Sequence, residues 1–303
     1  MQDSSLERTP TQGIRLLINT VICVLVSILL TSLAIQFLAA RFGLVLTGEG
    51  EPLGTVTARM QLRLVAGLNN LGTWAFPALG ALLLTYGINW KRAAGLVTPA
   101  PVSQVGNALL AFLFGIPVVA LAAYLNLQID LPQWMVDSEA MGNALLANVL
   151  QFTNVSELLV TLLVVAVIPA VGEELMFRGL LQGRLFRHLM GEPAAIWAAA
   201  TLFSAMHLEF AGFLPRLLLG VLLGYSYRWT RSLYVPILLH FLFNGLQVIN
   251  TYLAGEFVPD TEMDSSLGTL LLSGSVSLAV VLYLGYRSER TLRETKAYRH
   301  GAD

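Results

Sequence analysis

Three short clusters carry side chains able to do acid–base chemistry, and all three lie in otherwise apolar sequence. The first is Gly172-Glu173-Glu174-Leu175-Met176-Phe177-Arg178. Residues four apart on a helix share a face, so Glu174 and Arg178 can pair in the favourable acid-before-base order. Glu173 points about 100° away and has no local cation. A carboxylate beside a second carboxylate, partly removed from water, suits a general base. Pro169 and Gly172, just ahead of it, can kink or loosen the helix. Taken alone, this cluster also fits an interfacial ion-pair network at a helix end.

The second cluster is Phe203-Ser204-Ala205-Met206-His207, and the third is His240-Phe241-Leu242-Phe243-Asn244. His240 and Asn244 lie one turn apart on one helix face. A lone histidine in a helix is usually a satisfied core residue. Here two of the 4 histidines lie in apolar stretches, whereas His188 and His300 sit in basic segments and read as surface residues. Two membrane histidines with a Glu-Glu pair and an asparagine are hard to explain by packing, since ionisable groups in lipid are costly and mark function by default. The chemistry they offer is hydrolysis. Glu173, helped by His207, can polarise a water for attack on a peptide carbonyl. His240 and Asn244 can donate hydrogen bonds to the developing oxyanion, usually the largest single contribution when the donors are preset.

The elements that must position these groups are membrane helices. The chain has 303 residues, 55% hydrophobic and 12% charged, with a mean hydropathy of +0.68. Soluble domains carry about a quarter charged residues, so lipid is the expected solvent. Apolar runs cover 16–40, 64–86, 105–128, 155–171, 194–207, 213–229, 233–253 and 267–286. These predict an all-α bundle of about eight spans, the fifth and sixth short and the fourth able to run on through Leu189. The first run exceeds a signal-peptide core of roughly 7–15 residues and reads as a retained helix. An interfacial helix is expected around 140–150, and 287–303 reads as a frayed helix on the cytoplasmic surface.

With the N-terminus inside, the Lys and Arg residues split 14 against 4 of the 18 between the two sets of loops. The poorer set holds only Arg41, Arg59, Arg63 and Arg216, and that side collects Glu49, Glu51, Asp130, Asp137, Glu139, Glu256, Asp260, Glu262 and Asp264. Both termini are therefore expected in the cytoplasm of a cell (inner) membrane protein. A net charge of −1 gives no case for nucleic acid as a partner. The single Cys23 excludes an internal disulfide framework and reads as a packing residue.

The three motifs, Glu-Glu-x-x-x-Arg, Phe-x-x-x-His and His-x-x-x-Asn in that order, resemble those of the CAAX protease and bacteriocin-processing family, the type II CAAX-prenyl endopeptidases and their bacterial relatives. The resemblance covers roughly 155–253. It divides the chain into a variable region of three helices (1–154), this catalytic core, and a last helix with its tail (254–303). It implies that Glu173 and His207 activate water, that His240 and Asn244 form the oxyanion hole, and that Glu174, Arg178 and Phe203 support the site. The expected partners are a peptide or protein substrate at the membrane and the bilayer itself, with no cofactor. Zinc catalysis would use Glu and His ligands, but His-Glu-x-x-His is absent. A serine mechanism would rest on Ser204, which shares a helix with His207 and has no Gly-x-Ser-x-Gly elbow. No aspartate pair lies within the spans. From another class, a proton relay or a non-catalytic scaffold or immunity factor would also keep a buried carboxylate–histidine network.

Overall fold

The computed structural model describes residues 10–43, 54–257 and 266–300, and every regular element among them is helical. Six stretches are long and apolar enough to cross a membrane: Thr11–Phe42, Val56–Ala94, Val102–Asn126, Val155–Met190, Tyr234–Ala254 and Leu267–Thr295. Large apolar side chains such as Leu25, Leu29 and Leu272 face outward, as they do where hydrocarbon replaces water around a bundle.

Helix α1 (Pro10–Phe42) packs along α3 (Phe76–Tyr86). Between them in sequence, α2 (Val56–Asn70) is capped by Thr55, whose side chain accepts from the Ala58 amide. It enters α3 through a π-helical turn at Leu71–Ala75, and α4 (Trp90–Ala94) follows. Helix α5 (Val102–Asn126) packs against the helices Phe213–Thr230 and Leu267–His300 further along the chain. A helix, α6 (Gln133–Val149), covers the segment 140–150 and starts earlier than its apolar residues suggested.

The fourth span takes the longer of the two forms the sequence allowed. Helix α7 (Val155–Thr161), a π-helical segment (Leu162–Val167), α8 (Ile168–Glu174), a second π-helical segment (Leu175–Phe186) and α9 (Arg187–Met190) join end to end. The Asn154 side chain opens this span by accepting from the Glu157 amide. Gly191, at φ 80°, turns the chain into α10 (Glu192–Ala205). Then come α11 (Phe213–Thr230), α12 (Tyr234–Ala254) and α13 (Leu267–His300). The tail is thus a continuation of α13 through His300, and 301–303 lie outside the described residues.

The two expected spans outside the six are α10 and α11. Helix α10 has only 14 residues, and α11 carries Arg216 and Arg228. They pack on each other and on the fourth span and α5. Close approach needs Gly220: a Cβ there would lie 3.1 Å from the Ala200 Cβ, the small-residue contact that lets membrane helices touch backbones. One apolar cluster joins Leu82, Phe177, Leu180, Phe203 and Leu233. A second joins Phe112, Leu219, Leu223, Trp229, Leu239 and Leu284.

Charge is gathered at both ends of the fourth span. At its start, Arg59 and Arg63 are buried, not loop charges as their position at the edge of an apolar run suggested. Arg59 Nε lies 2.8 Å and Arg63 Nη1 2.7 Å from Glu157 Oε1. The Thr153 amide and hydroxyl also donate to Glu157, at 2.9 and 2.7 Å. Beyond its end, Glu192 pairs with Arg231 at 2.6 Å, Arg187 at 3.4 Å, and Arg228. Burial pushes the Glu192 carboxyl upward, but Arg231, Arg228 and Arg187 outweigh it and hold the group below the ordinary carboxylate range. Of the acidic residues assigned to the outer side, Glu49, Glu51, Asp260, Glu262 and Asp264 lie outside the described residues, as does Arg8.

Candidate active site

Glu173 and Glu174 end α8, midway along the fourth span, with π-helix on both sides. A π-helical turn holds more residues than an α-turn and so changes which faces later side chains occupy; such turns favour functional sites. The fourth span, the turn after α10 and α12 bring the Glu173, His207 and His240 side chains together.

Glu174 is fully buried and bound on one oxygen. Arg178 Nη1 donates to Glu174 Oε1 at 2.6 Å, and His240 Nδ1 lies 2.8 Å from the same atom. Arg178 also donates to the Gly220 carbonyl at 2.8 Å and stacks over the Phe203 ring at 4.9 Å. Phe203 in turn stands edge-on to Phe177, His207 and His240, with ring centroids 5.1, 4.9 and 6.0 Å away. It is the aromatic wall that keeps both imidazoles upright.

Glu173 is 4% exposed and bound differently. Its Oε2 lies 3.8 Å from His207 Nε2 and 3.9 Å from His240 Nε2. Both gaps exceed a hydrogen bond and are of the size a bridging water spans. The other nitrogen of each ring is committed. His207 Nδ1 lies 2.7 Å from the Phe203 carbonyl, and His240 Nδ1 meets the Arg178-paired Glu174 carboxylate. The Phe203 carbonyl only accepts, so His207 Nδ1 is the protonated nitrogen of that ring, and the Nε2 atom of each ring faces Glu173. The His207 side chain is 23% exposed, against 4% for His240, so the site opens on the His207 side.

Asn244 lies one turn beyond His240 and donates one amide hydrogen to the Val165 carbonyl at 3.1 Å, keeping a second N–H. Ser204 donates to the Phe213 carbonyl at 2.7 Å. Among the described residues no set of three or more His, Cys, Asp or Glu side chains is arranged to hold a metal ion.

Two further residues belong to this neighbourhood and were not singled out from the sequence. Asn70, the last residue of α2, points its Nδ2 at Glu173 Oε1 from 3.5 Å. Its signal was a polar residue inside the apolar run 64–86. Asn126, ending α5, holds the segment that follows His207: it donates to the Phe210 carbonyl at 2.9 Å and accepts from the Leu214 amide at 2.8 Å. Helix α6 adds Glu139, which accepts from the Ala211 amide at 2.7 Å, and Trp134, edge-on to Phe210 at 5.4 Å. Leu208, at φ 56°, sits in the left-handed region beside His207, a conformation a non-glycine residue keeps only when its surroundings fix it.

In this all-helical bundle one carboxylate is set beside two imidazoles. Residues 155–246 match the family described as Type II CAAX prenyl endopeptidase Rce1-like. The chain is 35% identical over 91 residues to the Membrane-embedded CAAX protease MroQ of Staphylococcus aureus (strain USA300), covering 28% of this chain and 36% of that one. It is 31% identical over 81 residues to the Uncharacterized protein YpbD of Bacillus subtilis (strain 168), covering 25% of this chain and 38% of that one. The matches thus span under two fifths of the length of these relatives. No solved structure matches. Over this core the chain is similar to the CAAX protease and bacteriocin-processing family.

Proposed function

We propose that the chain is an intramembrane endopeptidase that cleaves a membrane-associated peptide by metal-independent glutamic catalysis. The observation that carries the reading is Glu173 Oε2 standing 3.8 and 3.9 Å from two imidazole Nε2 atoms. In this reading Glu173 takes a proton from a water held between it and His207, and the hydroxide formed adds to the peptide carbonyl. His240, gripped at Nδ1 by Glu174, and the second N–H of Asn244 hold the oxyanion side. The proton on Glu173 then passes to the leaving amine as the C–N bond breaks. Arg178 and Phe203 keep Glu174 and the imidazoles in place. A cell (inner) membrane location with both termini cytoplasmic follows from the Lys/Arg distribution, and the name of the staphylococcal relative makes CAAX-type peptides the first substrates to try.

The test uses purified full-length protein in lipid nanodiscs with quenched fluorescent peptides, prenylated and unprenylated, and with a chelator present or absent. Cleavage that resists the chelator and vanishes in Glu173→Gln supports the reading. Cleavage that survives Glu173→Gln overturns it, and loss of cleavage on chelation overturns metal independence.

A further inference from the structure

Glu173 has two oxygens, and Oε2 is the one nearer both imidazoles. What sets this orientation comes from outside the matched core. Helix α2 reaches the site where it changes to π-helix: Asn70 is its last residue, and the π-turn Leu71–Ala75 begins at the next. Gly172 brings that turn close. A Cβ on Gly172 would lie 3.2 Å from the Ala75 amide nitrogen and 3.3 Å from the Cβ atoms of Ala75 and Trp74. The residue before Glu173 therefore lets the α2 junction pack on α8 backbone to backbone, and Asn70 arrives with Nδ2 3.5 Å from Glu173 Oε1. Asn70 Oδ1 is buried without a hydrogen-bond partner. A carboxylate accepts only, so the amide nitrogen is the end that can face it. Nδ2 thus engages Glu173 while Oδ1 stays in the same buried space.

We propose that Asn70 is a positioning residue of this site: its amide holds Oε1 of Glu173 and so presents Oε2 to His207 and His240. The catalytic consequence rests on the reading of Glu173 as the base, but the contact is testable without it. The charged and titratable groups around Glu173 are Glu174 and Arg178 on its own span, His207 beyond α10 and His240 on α12, and none of them donates to Oε1. An asparagine donor is neutral, so it can steady the carboxylate without pairing it off as a cation would.

The experiment compares full-length Asn70→Ala and the isosteric Asn70→Asp with the unaltered protein in nanodiscs. Dicyclohexylcarbodiimide reacts with protonated carboxyls in apolar surroundings, and its rate at Glu173 is read by peptide mass spectrometry, with Glu157 as internal control. Removing a hydrogen bond to a carboxylate should speed Glu173 labelling at neutral pH by about tenfold. Asn70→Asp, which places a second carboxylate there, should speed it further, and Glu157 labelling and the melting temperature should not move. For peptides that are cleaved, kcat should fall while KM stays constant. Unchanged Glu173 labelling in both folded variants overturns the proposal, as does a change shared equally by Glu157. If Glu173→Gln still cleaves, the function reading fails by itself, and the labelling result still decides the role of Asn70.

Discussion

Two buried glutamates sit on the same span and are treated in opposite ways. Glu157 is enclosed by Arg59 and Arg63, with Thr153 donating twice, so two cations and two neutral donors meet one carboxylate. Glu173 has no ion pair closer than 3.8 Å and one long amide contact. Burying a charge is costly unless it is paired and hydrogen-bonded. The first arrangement meets that demand and fastens α2 to the start of α7. The second leaves the demand open at the atom that points to two imidazoles. A saturated carboxylate holds helices together, and an unsaturated one is available to a substrate and a proton.

The sharpest way to break this comparison is to neutralise each carboxylate. Glu173→Gln should lower cleavage by about three orders of magnitude, the scale of a lost general base, with little change in melting temperature. Glu157→Gln should do the reverse. It leaves two buried guanidiniums short of a counter-charge, a loss of about 3–5 kcal/mol, read as poor accumulation in the membrane and early melting. If Glu157→Gln proved stable and inactive, the division between the two sites would be wrong.

A smaller effect is expected from Gly172→Ala. The added methyl meets Ala75 and Trp74 at 3.2–3.3 Å, so α8 and the π-turn must part by a few tenths of an ångström. That shift should cost about 1–3 kcal/mol and, by moving Asn70 from Glu173, about tenfold in cleavage rate. Smaller again is Asn126→Ala, which frees the segment after His207 from two part-buried hydrogen bonds. Hydrogen exchange should rise across 206–212 and cleavage should fall a fewfold, with exchange at Glu157 unchanged.

The smallest effect concerns the far end of the span. The Glu192 carboxyl is held below its ordinary range in the folded protein by its arginines. Its stabilisation is therefore fully present above the unfolded value and is lost as pH falls through the folded one. Glu192→Gln should melt about 2 °C lower at neutral pH, the scale of a partly exposed pair, and the two melting curves should converge in acid. Cleavage should be unaffected.

Much of this was legible in the sequence. Hydropathy alone outlines the apolar runs, because a lipid-facing helix has no polar face to confuse its ends. The motif residues stood out because Glu173, His207 and His240 are costly in such runs. The extent of the fourth span was not legible, because its apolar run ends near 171, ahead of Glu173. The fourth span in fact continues through Arg178 and Gln182, whose N–H groups donate to carbonyls of α11, so hydropathy understated its length. Arg59 and Arg63 looked like loop charges because their partner Glu157 lies 98 and 94 residues away. Their spacing of four, one helix face, was the clue. Asn70 and Asn126 are missed for a related reason: a neutral amide has no motif, and its meaning lies wholly in what the fold brings opposite it.

The fourth span and α11 are joined by two rungs at matching intervals, Arg178 to the Gly220 carbonyl at 2.8 Å and Gln182 to the Gly224 carbonyl at 2.9 Å. Such a pair works like a toothed rack. A slip of one residue, about 1.5 Å, disengages both teeth, and they next engage only after a full turn of about 5.4 Å. Hydrocarbon offers no substitute partner in between, so the two helices travel as one rigid blade. Any widening that admits a peptide to the histidines must then come from elements that are not geared to it, on the side where the segment after His207 rests on α6.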